Sequence, residues 1–324
     1  MTPRIAIIGC GLVGTTHAEC LAELGVPPMA YFDERGELAR ALASRLGGTV
    51  MATAEATILS PDVNAVYICT YHDTHSPLAV MAANAGKHLF IEKPMAITLE
   101  DSNSIYDAVE RNGVTCMTGF KMRYYPLVAK AHELIDHPLM LTGQITEQRW
   151  PDDIWANDPI KGGGNVLSQG CHAIDLVCHL ARSRPVRVYA EARNATHPAL
   201  DIIDSMVATI RFESGALASL TIGDVGNTPL TDKLSFQVLD GTRTLHLHER
   251  MKRLAYYDGE QTHAFSVATE EAFERENEEF VDALRNEREP ASTHRDGYNA
   301  TAIILAAFES SRSGCAVGLS DRLK

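Results

Sequence analysis

No stretch of this sequence approaches the roughly 20 consecutive apolar residues that a membrane helix needs, and no run of lysine and arginine stands out in it. With 29 basic against 42 acidic residues, the formal net charge is −13. Nucleic acid and an anionic membrane surface both call for a concentrated basic face, so neither is expected as a partner. Cysteine is sparse: seven scattered residues, an odd number, fit reduced and mostly buried thiols better than a disulfide framework. Residues 1–9 enter an apolar run at once, without a basic, then apolar, then cleavable leader. A cytoplasmic location is the expectation. Internal repeats and low-complexity segments are also missing.

What is present is an ordinary globular composition, 45% hydrophobic and 22% charged over 324 residues. That length exceeds the size at which a single core stops growing, which predicts two domains. Up to about residue 120, short apolar runs (Arg4 to Ile8, Met29 to Phe32, Ala65 to Cys69, His88 to Ile91, Val114 to Met117) alternate with amphipathic stretches (Thr15 to Leu24, Glu37 to Leu46, Pro77 to Ala85, Leu99 to Arg111). Strand and helix taking turns is the pattern of a doubly wound parallel sheet. After Trp150 come a polar loop through Gly164 and a helix over 165–181. Alternating runs follow at Val186 to Arg193, Met206 to Phe212, Ala216 to Ile222, Leu234 to Leu239 and Thr244 to Glu249, then helices over Glu270 to Arg285 and Tyr298 to Ser310. Consecutive strands with few helices between them predict an open, predominantly antiparallel mixed sheet. The expected class is α/β, with a doubly wound domain over 1–120 and an α+β domain over 121–324.

The first apolar run feeds directly into Gly9-Cys10-Gly11-Leu12-Val13-Gly14 and a helix. In the Rossmann fingerprint the first glycine allows the tight turn, the second lets backbone approach a pyrophosphate, and the third lets helix pack on strand. The pyrophosphate then sits at the helix N-terminus. Asp33, 19 residues after Gly14 at the end of the second strand, suits the adenosine ribose hydroxyls and favours NAD over NADP. Arg35 nearby is the residue that speaks for a 2′-phosphate. The plainer alternative is a tight turn with Asp33 capping the next helix. In such a sheet ligands bind outside the carboxyl ends of the strands, so Thr70, Tyr71, His72 and His75, and then Glu92 and Lys93, are expected to line the cofactor. Taken alone, Lys93 is as readily a solvated surface charge as a catalyst.

In the second half, Gly162-Gly163-Gly164 opens a helix on which His172, Asp175 and His179 fall at i, i+3 and i+7. Two readings stand at this point: a site facing a cleft, or a half-buried histidine satisfied by Asp175. A zinc site using Cys171, His172, Asp175 and His179 is disfavoured, because adjacent helical residues point about 100° apart. No metal is expected.

Four ordered segments, GCGLVG, THSPLAVMAANAGKHLFIEKPMA, GFKMRYYPL and GGGNVLSQGCHAIDL, make the chain resemble the glucose-fructose oxidoreductase, inositol dehydrogenase and rhizopine-catabolism (Gfo/Idh/MocA) oxidoreductases. The resemblance implies a Rossmann domain, an open-faced mixed-sheet domain and hydride transfer between NAD(P) and a secondary hydroxyl of a sugar, cyclitol or sugar derivative. It makes Lys93 and His172 the catalytic pair, places Asp175 beside the substrate, and implies a homodimer or homotetramer. Where many relatives carry an aspartate four residues before the histidine, this chain has Ser168, which supplies no charge at neutral pH. Asp175 then orients the imidazole, or Ser168 binds a substrate hydroxyl. Arg123, Tyr124, Trp150, Trp155 and Asn157 complete the expected substrate contacts, the tryptophans being equally suited to packing. Two further readings remain at this stage: a redox-assisted glycosidase or lyase that reduces its NAD only transiently, and a non-catalytic NAD-binding sensor.

Overall fold

A computed structural model describes residues 1–226 and 231–324. The chain divides into two compact units, residues 1–121 with 273–298, and residues 122–272 with 299–324. Among the described residues no helix is long and apolar enough to cross a membrane.

The first unit is built on six parallel strands, β1 (Ile5–Ile8), β2 (Ala30–Phe32), β3 (Thr49–Val50), β4 (Ala65–Ile68), β5 (His88–Glu92) and β6 (Cys116–Gly119), in the order β3-β2-β1-β4-β5-β6. The order reverses between β1 and β4, and ligands of such sheets bind at the carboxyl ends flanking that reversal. Every residue of β1 and β4 is buried, which is why both read as unbroken apolar runs rather than alternating ones. The exposed two-residue β3 left no such signature. Helices α1 (Leu12–Glu23), α2 (Gly36–Leu46), α3 (Ala54–Leu59), α4 (His75–Asn84) and α5 (Leu99–Asn112) form the crossovers. Their ends follow local chemistry: Thr98 Oγ1 accepts the Asp101 amide at 3.0 Å to start α5, and Gly113, with φ of 61°, stops it.

The second unit holds α6 (Pro126–Leu134), α7 (Asn165–Ala181) and a nine-stranded sheet. Its strands are β7 (Met140–Thr146), β8 (Pro185–Arg193), β9 (Ser205–Phe212), β10 (Leu217–Gly223), β11 (Leu234–Leu239), β12 (Thr244–His248), β13 (Arg253–Tyr257), β14 (Thr262–Ser266) and β15 (Val317–Gly318). They run in the order β14-β13-β12-β11-β7-β10-β9-β8-β15. Neighbours are antiparallel except β7 with β10, where Ile145 stands opposite Ile222 in parallel register. The sheet is therefore mixed and mostly antiparallel. Strand β7, central to it, lies outside the strands expected from the sequence. Gly143 interrupts its pattern, and it is glycine because a Cβ would lie 2.6 Å from the Phe236 ring and 2.7 Å from Leu220.

The expected division at residue 120 assigned everything beyond it to the second domain, but residues 273–298 group with the first unit. They include most of α8 (Ala272–Asn286) and the start of α9 (His294–Ser313). The reason is packing: the fully buried Phe280 ring meets Tyr67 and Phe90 edge-on, at 5.4 and 5.6 Å between ring centroids. An amphipathic helix reads the same whichever sheet it covers. Phe280→Ala is expected to destabilise the first unit by about 3–5 kcal/mol, measured by denaturant unfolding. A loss below about 1 kcal/mol would mean that α8 contributes little to that core.

Candidate cofactor and substrate sites

Strand β1 leads into Gly9, whose φ of 91° excludes ordinary side chains. A Cβ on Gly14 would lie 1.9 Å from the Gly9 carbonyl oxygen, so the glycine is what lets α1 reach β1. At Gly11 nothing stands within 4 Å of a Cβ position. No side chain caps the first amides of α1, and Leu12 beside them is 85% exposed. The turn is thus an open cradle of backbone N–H groups at a positive helix end, suited to a pyrophosphate. At the end of β2 the Asp33 carboxylate accepts the Cys10 amide at 2.7 Å and the Arg35 amide at 2.8 Å. It is anchored beside the turn, with lone pairs left for ribose hydroxyls. Burial first, and then the charge of Asp33, push the Cys10 thiol up to about 12, which keeps it protonated and inert.

Thr70, Tyr71 and the helical turn His72–Thr74 follow β4. The buried His75 ring ties this loop to the next, with Nδ1 3.0 Å from Pro94 O and Nε2 3.2 Å from Thr70 O. Burial pulls its pKa below the ordinary value. Lys93 stands at the end of β5, half-buried. Glu92, expected beside the cofactor, turns inward: Oε2 accepts the Lys93 amide at 3.0 Å and Oε1 lies 3.1 Å from His17 Nε2. Since the sheet is parallel, the glycine turn, Asp33, Thr70 and Lys93 all stand at its carboxyl edge.

In the second unit, Gly164 (φ 90°) starts α7 close against Ile202. His172 and, one turn earlier, Ser168 are 2% and 4% exposed. Asp175 and Arg123, both expected to meet the substrate, also grip each other: Arg123 Nε donates to Oδ2 at 2.9 Å and Nη2 to Oδ1 at 2.5 Å. This bidentate pair neutralises both charges. His179 stacks on His132 at 4.4 Å, and Cys171 Sγ donates to Ser168 O. Neither belongs to a group of three or more potential metal ligands; among the described residues such groups are His17, Glu92 and Glu276, and His197, Asp204 and Asp224.

Tyr124 is half-buried, and Trp155 is 37% exposed. The Trp150 amide donates to Asp224, and Asn157 is buried with Nδ2 donating to Pro151 O at 3.0 Å. Asn157 Oδ1 and both amide atoms of Asn165, the first residue of α7, are buried without a hydrogen-bond partner among the described residues. Native structures leave few such atoms, and a polar ligand is one way to satisfy them. Asn165 was not foreseen, because an asparagine after glycines reads as a turn.

The comparisons give this geometry a family. Residues 3–120 match the Gfo/Idh/MocA oxidoreductase model, described as an NAD-binding Rossmann fold, and residues 130–240 match the Gfo/Idh/MocA C-terminal domain. The chain belongs to the Gfo/Idh/MocA family. A D-xylose 1-dehydrogenase (NADP(+)) of Haloferax volcanii is 29% identical, the match covering 96% of this chain and 97% of that one. A scyllo-inositol 2-dehydrogenase (NAD(+)) of Bacillus subtilis is 25% identical, covering 98% and 96%. A solved levoglucosan dehydrogenase, in complex with NADH and levoglucosan, shares the fold at a TM-score of 0.90 with 23% identity, covering 98% and 99%. The open glycine turn, the uncapped helix end and the anchored Asp33 fit the NAD that the family model describes.

One feature of this family member was not legible in its sequence. His197, fully buried, holds Asp152 through Nδ1 at 2.5 Å and Asp224 through Nε2 at 2.8 Å, joining the Trp150 loop to the β8–β9 connection and the end of β10. Asp204 is occupied elsewhere, accepting the amides of Ala195, Thr196 and His197. Burial alone would lower the His197 pKa, but the hydrogen bonds to Asp224 and Asp152 outweigh it and raise it above 6.5. A pKa raised in the native state gives stability that is complete below the unfolded value and is lost as pH rises through the native one. The stability difference between wild type and His197→Gln is therefore expected to shrink as pH climbs above about 6.5, read by melting across pH 5.5–9. A difference that grows with pH would contradict the clamp.

Proposed function

We propose that the chain is an NAD-dependent oxidoreductase acting on a secondary hydroxyl of a sugar, cyclitol or sugar derivative, with Lys93 and His172 as catalytic residues. The observation that carries this reading is Lys93 at the carboxyl edge of the same parallel sheet as the glycine turn and Asp33. The xylose and inositol dehydrogenases among the relatives support the substrate class. NAD held at the glycine turn and beside Asp33 would supply a hydride acceptor for the hydroxyl-bearing carbon, or a donor in the reverse direction. The hydroxyl proton must leave as the hydride does. His172 takes it, imidazole being the side chain whose ordinary titration spans neutrality. The Lys93 ammonium stabilises the developing alkoxide and fixes the hydroxyl.

Ser168 supplies a neutral hydroxyl where many relatives carry charge, so His172 works without a carboxylate one turn before it. Asp175 is engaged by Arg123, and the pair serves the site by stiffening α7. Asn165 and Asn157 offer their buried amide atoms to substrate hydroxyls, and Tyr124, Trp150 and Trp155 offer aromatic surface to the ring faces. Two or four copies assemble through the outer face of the second sheet, where Tyr189, Val207 and Leu217 are exposed.

Lys93→Ala and His172→Ala are each expected to lower turnover about a hundred- to ten-thousandfold, followed as NADH formation across a panel of sugars and cyclitols. Near-normal turnover in either variant would overturn the assignment. NAD is expected to be preferred over NADP, because the Asp33 carboxylate repels a 2′-phosphate. The relatives carry both preferences. In Asp33→Ala the ratio of kcat/KM values for the two cofactors should narrow by about tenfold or more, the equivalent of about 1.4 kcal/mol; an unchanged ratio would assign the preference elsewhere.

A further inference from the structure

The carboxylate behind Lys93 is fastened from a helix that has its own part in cofactor binding. His17 lies on α1, whose N-terminus forms the glycine turn, and its side chain is fully buried. Glu92, 9% exposed, takes the Lys93 amide on Oε2 and His17 Nε2 on Oε1. An ionised carboxylate only accepts hydrogen bonds, so His17 Nε2 carries the proton. Nδ1 is met by Asn277 Nδ2 at 2.9 Å, closer than Asn277 Oδ1 at 3.2 Å, and so accepts. The Asn277 amide cannot turn over without losing its second bond, from Nδ2 to Phe273 O at 2.7 Å. Around the imidazole stand Tyr67, Phe90 and Phe273, at 5.3, 4.8 and 5.2 Å between ring centroids, closing it from water.

We propose that His17 is a positioning residue for Lys93: by fixing the Glu92 carboxylate it fastens the backbone that presents the lysine at the sheet edge. The proposal rests on the reading of Lys93 as a catalytic residue. The charged and titratable groups facing Glu92 are His17 from α1, Glu276 from α8, Cys69 after β4, His75 from α4, and Lys93 and Lys121 on the loops after β5 and β6. Burial works against ionisation of Glu92, but the hydrogen bond from His17, with Lys93 and Lys121 nearby, holds its pKa below the ordinary range. Without His17 the burial is opposed only by Lys93 and Lys121, and Glu92 takes up a proton more readily as the solution is acidified. The Lys93 amide then loses its charged acceptor. Such a relay fails in a pH-dependent way, whereas a merely structural histidine fails equally at every pH.

The test is the exchange protection of the Lys93 amide in the full chain between pH 5 and 8, resolved by fragmentation mass spectrometry. It is compared in wild type, His17→Leu, His17→Gln and Glu92→Leu, with melting and NADH fluorescence as checks of folding and binding. Wild-type protection is expected to stay constant. In His17→Leu it should match wild type at pH 8 and fall at least tenfold by pH 5. His17→Gln, which keeps a donor for Glu92, should restore it, and Glu92→Leu should lack it throughout. On any sugar that wild type oxidises, His17→Leu should lose up to about a hundredfold in kcat at the acid end, the cost of a misplaced reacting group. Protection in His17→Leu that matches wild type at pH 5, or that is lost equally at all pH values, overturns the proposal. Near-normal turnover in Lys93→Ala overturns only the catalytic reading, because the amide measurement does not depend on the lysine side chain.

Discussion

The close approach of α1 to the first strand is the contact on which the carboxyl edge of the parallel sheet depends. Gly14 faces the Gly9 carbonyl with no space for a Cβ. That single omission of side chain leaves the helix N-terminus open for a pyrophosphate and brings the turn beside Asp33. Further along the same helix His17 is carried down onto Glu92. Interiors are packed so tightly that a shift of a few tenths of an ångström at one point is felt by its neighbours. Cofactor cradle and lysine presentation are thereby properties of one helix–strand contact.

The second unit solves a different problem, that of holding polar groups inside an apolar helix and sheet. Buried charge is tolerated only when paired, and each case here has its partner: Arg123 with Asp175, His197 with two aspartates, Asp204 with three backbone amides. Against that background the partnerless amide atoms of Asn165 and Asn157 stand out. They are neutral groups, which cost less to leave unpaired than a lone charge does.

Much of this was legible in the sequence wherever chemistry is local. The glycine turn, the acid at the end of the second strand and the lysine before Pro94 are fixed by chain neighbours a few residues away, and the buried strands announce themselves by composition. Among the missed elements, β3 is exposed, and β7 is broken by Gly143, whose reason lies in Phe236 and Leu220 far along the chain.

The sequence by itself determined the fold class and the identity of the dinucleotide turn, because periodicity and steric demands at glycines act over short distances, and its four ordered segments carried the resemblance to the family. Only the tertiary structure decided which polar and charged groups find each other. Arg123 and Asp175 are 52 residues apart, and His17 and Glu92 are 75 apart. Both pairs form because burial makes an unsatisfied carboxylate costly and the fold brings just these partners within reach. The same packing assigned residues 273–298 to the first unit, since an amphipathic helix carries the stripe it must bury but not the name of the sheet that buries it.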